Sequence, residues 1–295
     1  MEGSIFKLSD PLIRHLSDPG QSKNPCYHGR IAPTPTGLLH IGHAATFATA
    51  HRRAREAGGK IFLRIEDLDP HRCKPEFTQA SIEDLKWLGL DWDGEPVFQS
   101  QRRALYLDAW KTLRDSGLIY PCRHTRKELA TLAPHEEEPL FPPEWRANPA
   151  EALEYSLPAG VNWRFRVPDG ETIAFEDGNF GPIEKTAGCD FGDFLVWNRE
   201  DIPAYELAVV VDDIAMGITE VVRGADLLTS TARQILLHRA LGSNPPAWFH
   251  CPLVCDDKGH RLAKRTGGLE IRTLRQSGKT PAEILRPFPL KKTAP

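Results

Sequence analysis

The chain has 295 residues, 40% hydrophobic and 26% charged, and its formal net charge is −3. That balance describes a globular protein with room for one large or two modest domains. No apolar run approaches the ~20 residues needed to cross a bilayer, the N-terminus lacks the basic-then-apolar order of a secretory leader, and six cysteines do not make a disulfide framework in a chain this long; a membrane span and a disulfide-built secreted scaffold are excluded, and a cytoplasmic location is expected.

Residues 1–25 hold Pro11, Pro19, Gly20 and Pro25 with little periodicity and no motif, which describes a loosely attached extension. Cys26 to Ile31 reads as a first strand, parallel and buried. Pro33 and Pro35 then force an extended loop, Gly37 supplies a turn, and a helix is predicted from near Leu39 to the Gly58-Gly59 stop. His40 and His43 share a face in its first turn. Free N–H groups and a positive dipole end suit a helix N-terminus to phosphate, and Gly42 lets a base or ribose approach the backbone. On these residues alone, an ordinary strand-to-helix turn with two surface histidines is the other reading.

Lys60 to Ile65 is a second apolar strand, completing a βαβ unit. Glu66, Asp67 and Asp69 follow at its C-terminal end, the end that faces the ligand crevice of open α/β sheets. An acid there can hold an amino group; Asp67 and Asp69 can equally cap the next helix. Helices are predicted over Pro75–Leu90 and Gln101–Ser116, the second with Tyr106, Ala109, Trp110 and Leu113 as a core stripe.

At residue 120 the texture changes. Prolines multiply, Glu136, Glu137 and Glu138 form an acid run, and strands are expected only at Trp163–Val167 and Thr172–Phe175. Residues 120–188 read as an insertion. Cys122 and His124 could supply two ligands to a metal, but a structural zinc needs four. His135 and Tyr155 sit in no pattern, and the next cysteine is Cys189; zinc is not expected. The chain then returns to the sheet, with a strand predicted at Leu207–Val211 just after Tyr205 and another at Ile218–Val222. The latter ends at Arg223, and an arginine so placed can clamp a carboxylate in bidentate fashion. A helix follows over 230–241. From Lys258 to Pro295 ten Lys/Arg stand against two acids, Glu270 and Glu283. Such an excess suits a nucleic-acid backbone, or is simply a solvated basic tail.

The run Arg30-Ile-Ala-Pro-Thr-Pro-Thr-Gly-Leu-Leu-His40-Ile-Gly-His43 resembles the first signature of the class I aminoacyl-tRNA synthetases in its glutamyl form. Arg223-Gly-Ala-Asp226 with Thr231-Ala-Arg-Gln234 is similar to a second glutamyl pattern, and Arg261-Leu262-Ala263-Lys264-Arg265 to the Lys-Leu-Ser-Lys-Arg form of the second signature. Arg261 for Lys keeps a charge; Ala263 for Ser loses a hydroxyl and puts part of that loop's phosphate contact in doubt. The resemblance covers roughly residues 27–275. It implies a Rossmann-like α/β fold with a parallel sheet, halves at 26–119 and 189–242, a connecting insertion at 120–188, and a basic loop with helical tRNA-contacting residues at 243–295.

It also implies site roles. L-glutamate would be bound by Arg30, Ile31, Ala32, Pro33, Thr34, Glu66, Tyr205 and Arg223; two arginines and one acid match its two carboxylates and one ammonium, whereas glutamine would not need the second cation. His40, Gly42, His43 and Lys264 would bind ATP, with Mg²⁺ expected alongside though no ligand set for it is readable. The chain stops at Pro295 without the helical anticodon-reading domain expected of a full glutamyl enzyme, so the nearest resemblance is to the truncated glutamyl-queuosine tRNA(Asp) synthetases, which attach glutamate to the queuosine base in that tRNA's anticodon loop. A minimal enzyme charging an ordinary tRNA, or a non-catalytic tRNA-binding relative, are the alternatives.

Overall fold

A computed structural model describes residues 26–132, 139–253 and 270–286. The first half runs β1 (His28–Ile31), α1 (Ile41–Glu56), β2 (Lys60–Ile65), α2 (Pro75–Trp87), β3 (Val97–Phe98) and α3 (Arg103–Asp115). All three strands are parallel, in the order β1-β2-β3. α1 ends where Gly58 takes φ +64° and Gly59 packs on Tyr27; a Cβ on Gly59 would lie 2.3 Å from the Tyr27 carbonyl. The α3 stripe is buried as its spacing predicts, and Trp110 meets Trp163 edge-to-face at 4.8 Å.

Then come β4 (Ile119–Cys122), α4 (Arg126–Leu132), α5 (Pro149–Ala152), β5 (Asn162–Phe165), β6 (Thr172–Asp177), β7 (Gly181–Thr186) and β8 (Phe194–Trp197). β4, β5 and β8 form an antiparallel sheet. β6 and β7 form a hairpin whose first strand joins another sheet. The rest is α6 (Tyr205–Ala215), β9 (Glu220–Gly224), α7 (Leu228–Ala240), β10 (Ala247–Cys251), α8 (Ile271–Gln276) and α9 (Pro281–Ile284). β9, β10 and β6 lie side by side and parallel.

Leu207–Val211 is helix, not strand. Residues 206–213 are buried without interruption, so the run is apolar on every side and its β-branched valines imitate a buried strand. The next strand starts two residues later than predicted and contains Arg223 rather than ending before it. α1 starts at Ile41, which makes His40 its N-cap instead of a first-turn residue.

β1 and β9 run alongside each other, tied by Thr219 N–H to the His28 carbonyl at 2.9 Å and by Arg30 Nη1 to the Val222 carbonyl at 3.0 Å. Strand order therefore reverses between them, the place where open α/β sheets leave a ligand crevice. Two buried clusters flank this seam, one around Trp110, Trp163 and Trp197, the other around Ile31, Leu63 and Phe47. The second also takes in Ile271 and Ile284, docking the last helices on the first half. Among the described residues no helix is long and apolar enough to cross a membrane.

Candidate active site

A cavity of about 480 Å³ opens where β1 and β9 end. The chain's start at this site is set by α1. His40 caps it: the His40 ring accepts the Gly42 N–H at 3.1 Å, and the His43 ring accepts the His40 N–H at 3.2 Å. The rings stack at 3.8 Å. Since both Nδ1 atoms accept backbone protons, each neutral ring carries its own proton on Nε2. Two N–H donors so fixed at a helix N-terminus have the chemistry to receive an anion such as phosphate. Gly42 has a reason the sequence does not reveal: a Cβ there would sit 3.0 Å from the His40 ring. It makes room for the cap.

Arg30, Ala32, Pro33, Thr34, Glu66, Tyr205 and Arg223 all line the cavity together with His40, Gly42 and His43. Ile31 does not. Strand alternation turns its side chain into the core, fully buried, while its neighbours face the cavity. Arg261, Leu262, Ala263, Lys264 and Arg265 lie outside the described residues, as does His135.

The charges are held by partners that sequence reading misses. Glu66 accepts from Arg64 Nη2 at 3.2 Å and Thr34 Oγ1 at 3.2 Å. Burial raises its pKa against the pull of Arg64 and Arg30. Arg64, wholly buried, also donates to Asp213 at 2.6 Å; Asp213 lies 3.5 Å from Arg30. Burial by itself would raise the Asp213 pKa, but Arg64 and Arg30 override it and lower it. The visible signal was an arginine inside the apolar run Lys60 to Ile65 and the Asp212-Asp213 pair closing another. Arg223 donates from Nε to His250 Nε2 at 3.2 Å, from Nη1 to Gln234 at 2.8 Å and from Nη2 to Thr231 at 2.7 Å. Tyr205 opens α6. Desolvation, and after it the carboxylates of Glu66 and Glu206 against the pull of Arg223, push its hydroxyl up to about 12, although 40% of the residue remains exposed. It stays a hydrogen-bond donor throughout the neutral range. Asp67 holds Ser100 and Asp69 holds the His71-Arg72 turn, so both are loop anchors.

A second cavity, of about 1150 Å³, shares Thr34, Glu66 and Tyr205 with the first and extends to His124, Phe141, Arg164 and Arg233. Cys122 is buried with its thiol on the His124 carbonyl, and the His124 ring stacks on Trp145 at 4.0 Å. Among the described residues no group of three His, Cys, Asp or Glu could hold a metal. Glu66 is engaged with Arg64, and with no such group the described residues do not fit a resident Mg²⁺.

Residues 27–290 match the family described as tRNA synthetases class I (E and Q), catalytic domain. The chain is 46% identical to the glutamyl-Q tRNA(Asp) synthetase of Nitratidesulfovibrio vulgaris, over 87% of this chain and 83% of that protein, and 44% identical to the same-named protein of Symbiobacterium thermophilum, over 87% and 84%. It is 41% identical to a glutamate–tRNA ligase of Thermosynechococcus vestitus, over 84% of this chain and 54% of that one. A crystal structure of a glutamate tRNA ligase from Elizabethkingia meningosepticum, in complex with its amino acid, superposes with a TM-score of 0.71 at 28% identity; the match covers 82% of this chain and 53%, about half, of that one.

Proposed function

Because the chain belongs to the class I synthetase family of glutamate and glutamine enzymes, we propose that it activates L-glutamate with ATP and transfers it to the queuosine base of tRNA(Asp). The observation that carries the first step is the convergence of Arg30, Arg223 and Glu66 in one cavity beside the His40–His43 cap. Two guanidinium groups take the two carboxylates of glutamate, and Glu66 takes the ammonium. The Tyr205 hydroxyl donates to the same substrate. An oxygen of the α-carboxylate attacks the α-phosphorus of ATP. The bond to the bridging oxygen breaks, and pyrophosphate leaves with that electron pair. His40 and His43 donate from Nε2 to the phosphates as charge shifts onto them. Catalysis here is positioning and charge stabilisation, and Lys264 of the second signature is assigned to the same phosphates.

In the second step a hydroxyl of the queuosine cyclopentenediol attacks the activated carbonyl. AMP leaves and the hydroxyl proton is released. The second cavity meets the first at Thr34, Glu66 and Tyr205, which suits it to present that hydroxyl. The queuosine acceptor is supported by the relatives that bear the glutamyl-Q name. In this reading 26–119 and 189–242 are the halves of a nucleotide fold acting in the cytoplasm, 120–188 is inserted between them, and the basic residues of 243–295 meet tRNA phosphates without reading bases.

Glutamate-dependent ATP–pyrophosphate exchange tests the activation. Transfer of labelled glutamate to tRNA(Asp) with and without queuosine, beside tRNA(Glu), tests the acceptor. Transfer only to queuosine-containing tRNA(Asp) is expected. Transfer to tRNA(Glu) instead would favour an ordinary charging enzyme, the reading that the likeness to the glutamate–tRNA ligase supports. Absence of glutamate-dependent exchange would overturn the glutamate reading.

A further inference from the structure

We infer that His250, oriented by Asp177, is a positioning residue that sets Arg223 to receive a substrate carboxylate. The inference rests on the glutamate pocket proposed above. Three neighbouring parallel strands carry the chain of groups: Asp177 ends β6, His250 lies in β10, and Arg223 is its register partner in β9. The His250 Nδ1 lies 2.6 Å from Asp177 Oδ2, and its Nε2 lies 3.2 Å from Arg223 Nε. A carboxylate only accepts and a guanidinium only donates. The imidazole is therefore neutral, with its proton on Nδ1 and a lone pair facing Arg223.

Nothing in that chain is loose. His250 is wholly buried. Its backbone N–H donates to Asp177 as well, and Asp177 Oδ1 takes the N–H groups of Asn179 and Phe180 in the β6–β7 turn. Gln234 braces a different nitrogen of the guanidinium. Its Oε1 accepts from Arg223 and its Nε2 donates to Glu206 at 2.7 Å, so a flip would lose both bonds. Trp248 lies against the guanidinium at 4.9 Å.

The residue type matters. A carboxylate in place of His250 would pair with Arg223 and compete with the substrate for its charge. A neutral imidazole accepts the Nε–H, fixes the plane of the fork and leaves the positive charge for the ligand. Asp177, one residue further back, fixes the tautomer without touching the arginine.

The test compares the unaltered protein with His250→Phe and His250→Gln in glutamate-dependent ATP–pyrophosphate exchange, with thermal unfolding of each. Phenylalanine is of similar size but accepts nothing; the amide oxygen of glutamine stands near the place of Nε2. His250→Phe is expected to raise the KM for glutamate about tenfold while the KM for ATP moves less than about twofold, and His250→Gln to recover most of that loss. His250→Leu serves the same comparison if phenylalanine does not fold. An unmoved glutamate KM, glutamate and ATP KM values rising in equal proportion, or a glutamine variant no better than the apolar one would each overturn the inference while the unaltered protein still exchanged. No glutamate-dependent exchange in the unaltered protein would overturn the pocket reading, and this inference with it.

Discussion

Glu66 carries a charge that its surroundings make costly to keep. Burial raises its pKa, and Arg64 and Arg30 recover only part of the shift. A raised carboxyl takes up its proton earlier as pH falls, and the protonated form has no charge to offer an ammonium group. The KM for glutamate should therefore climb as the solution is acidified, starting above the ~4.3 of an unperturbed glutamate. Glu66→Gln should show a KM that is high and flat over the same range; an acid limb preserved in that variant would place the titration elsewhere. Arg223→Lys keeps the charge but loses the fork that meets His250, Gln234 and Thr231 at once. Its glutamate KM should rise by at least about tenfold, and equal kinetics would remove Arg223 from the pocket. Arg30, Glu66, Tyr205 and Arg223 were legible because each stands at or beside an element end flanked by recognisable residues. His250 and Asp177 were not, because nothing local marks them: they meet only across paired strands, 73 residues apart.

At the level of elements, α1 shows one residue used twice. His40 is both the cap and a proposed phosphate donor, and the two uses can be separated. Asparagine is a good N-cap. His40→Asn should keep the unfolding temperature near that of the unaltered protein and depress adenylate formation. His40→Ala should lose both, with the cap worth about 1 kcal/mol and a fall of roughly 2–4 °C in a domain of this size. Equal unfolding temperatures in the two variants would show that the ring does not cap. The start of α1 was nearly legible, displaced by two residues because a histidine is an unusual cap and reads as helix. α6 was misread altogether. Periodicity distinguishes helix from strand only when one face is polar, and the Leu207–Val211 run of α6 is apolar and buried on every side.

At the scale of the whole molecule, burial favours the neutral form of His238 and His250. Burial lowers the His238 pKa to about 4 and lowers that of His250 as well. The unfolded chain then binds more protons than the folded one between the ordinary histidine range near ~6.5 and those depressed values. Stability should be complete above that window and decline as pH falls through it. Thermal unfolding over a pH series should show the decline, and His238→Gln should flatten part of it; an unfolding temperature that is constant across the window would refute the assignment. The parallel βαβ start was visible in the sequence at this scale. That β6 would pair with β10 was not, since only the completed fold brings Asp177 beside Trp248.

The seam between β1 and β9 also has a history in time. Arg30 and the Val222 carbonyl that it grasps are 192 residues apart. At roughly 5–20 residues per second, a ribosome takes about 10–40 s to travel between them. Throughout that interval the nascent chain can carry a finished α1 with its histidine cap and still have no place for an amino acid. Contacts of such span also form late in refolding. Recovery of helical signal should run ahead of recovery of glutamate binding, so that freshly made or refolded protein passes through a stage that looks folded and cannot recognise its substrate.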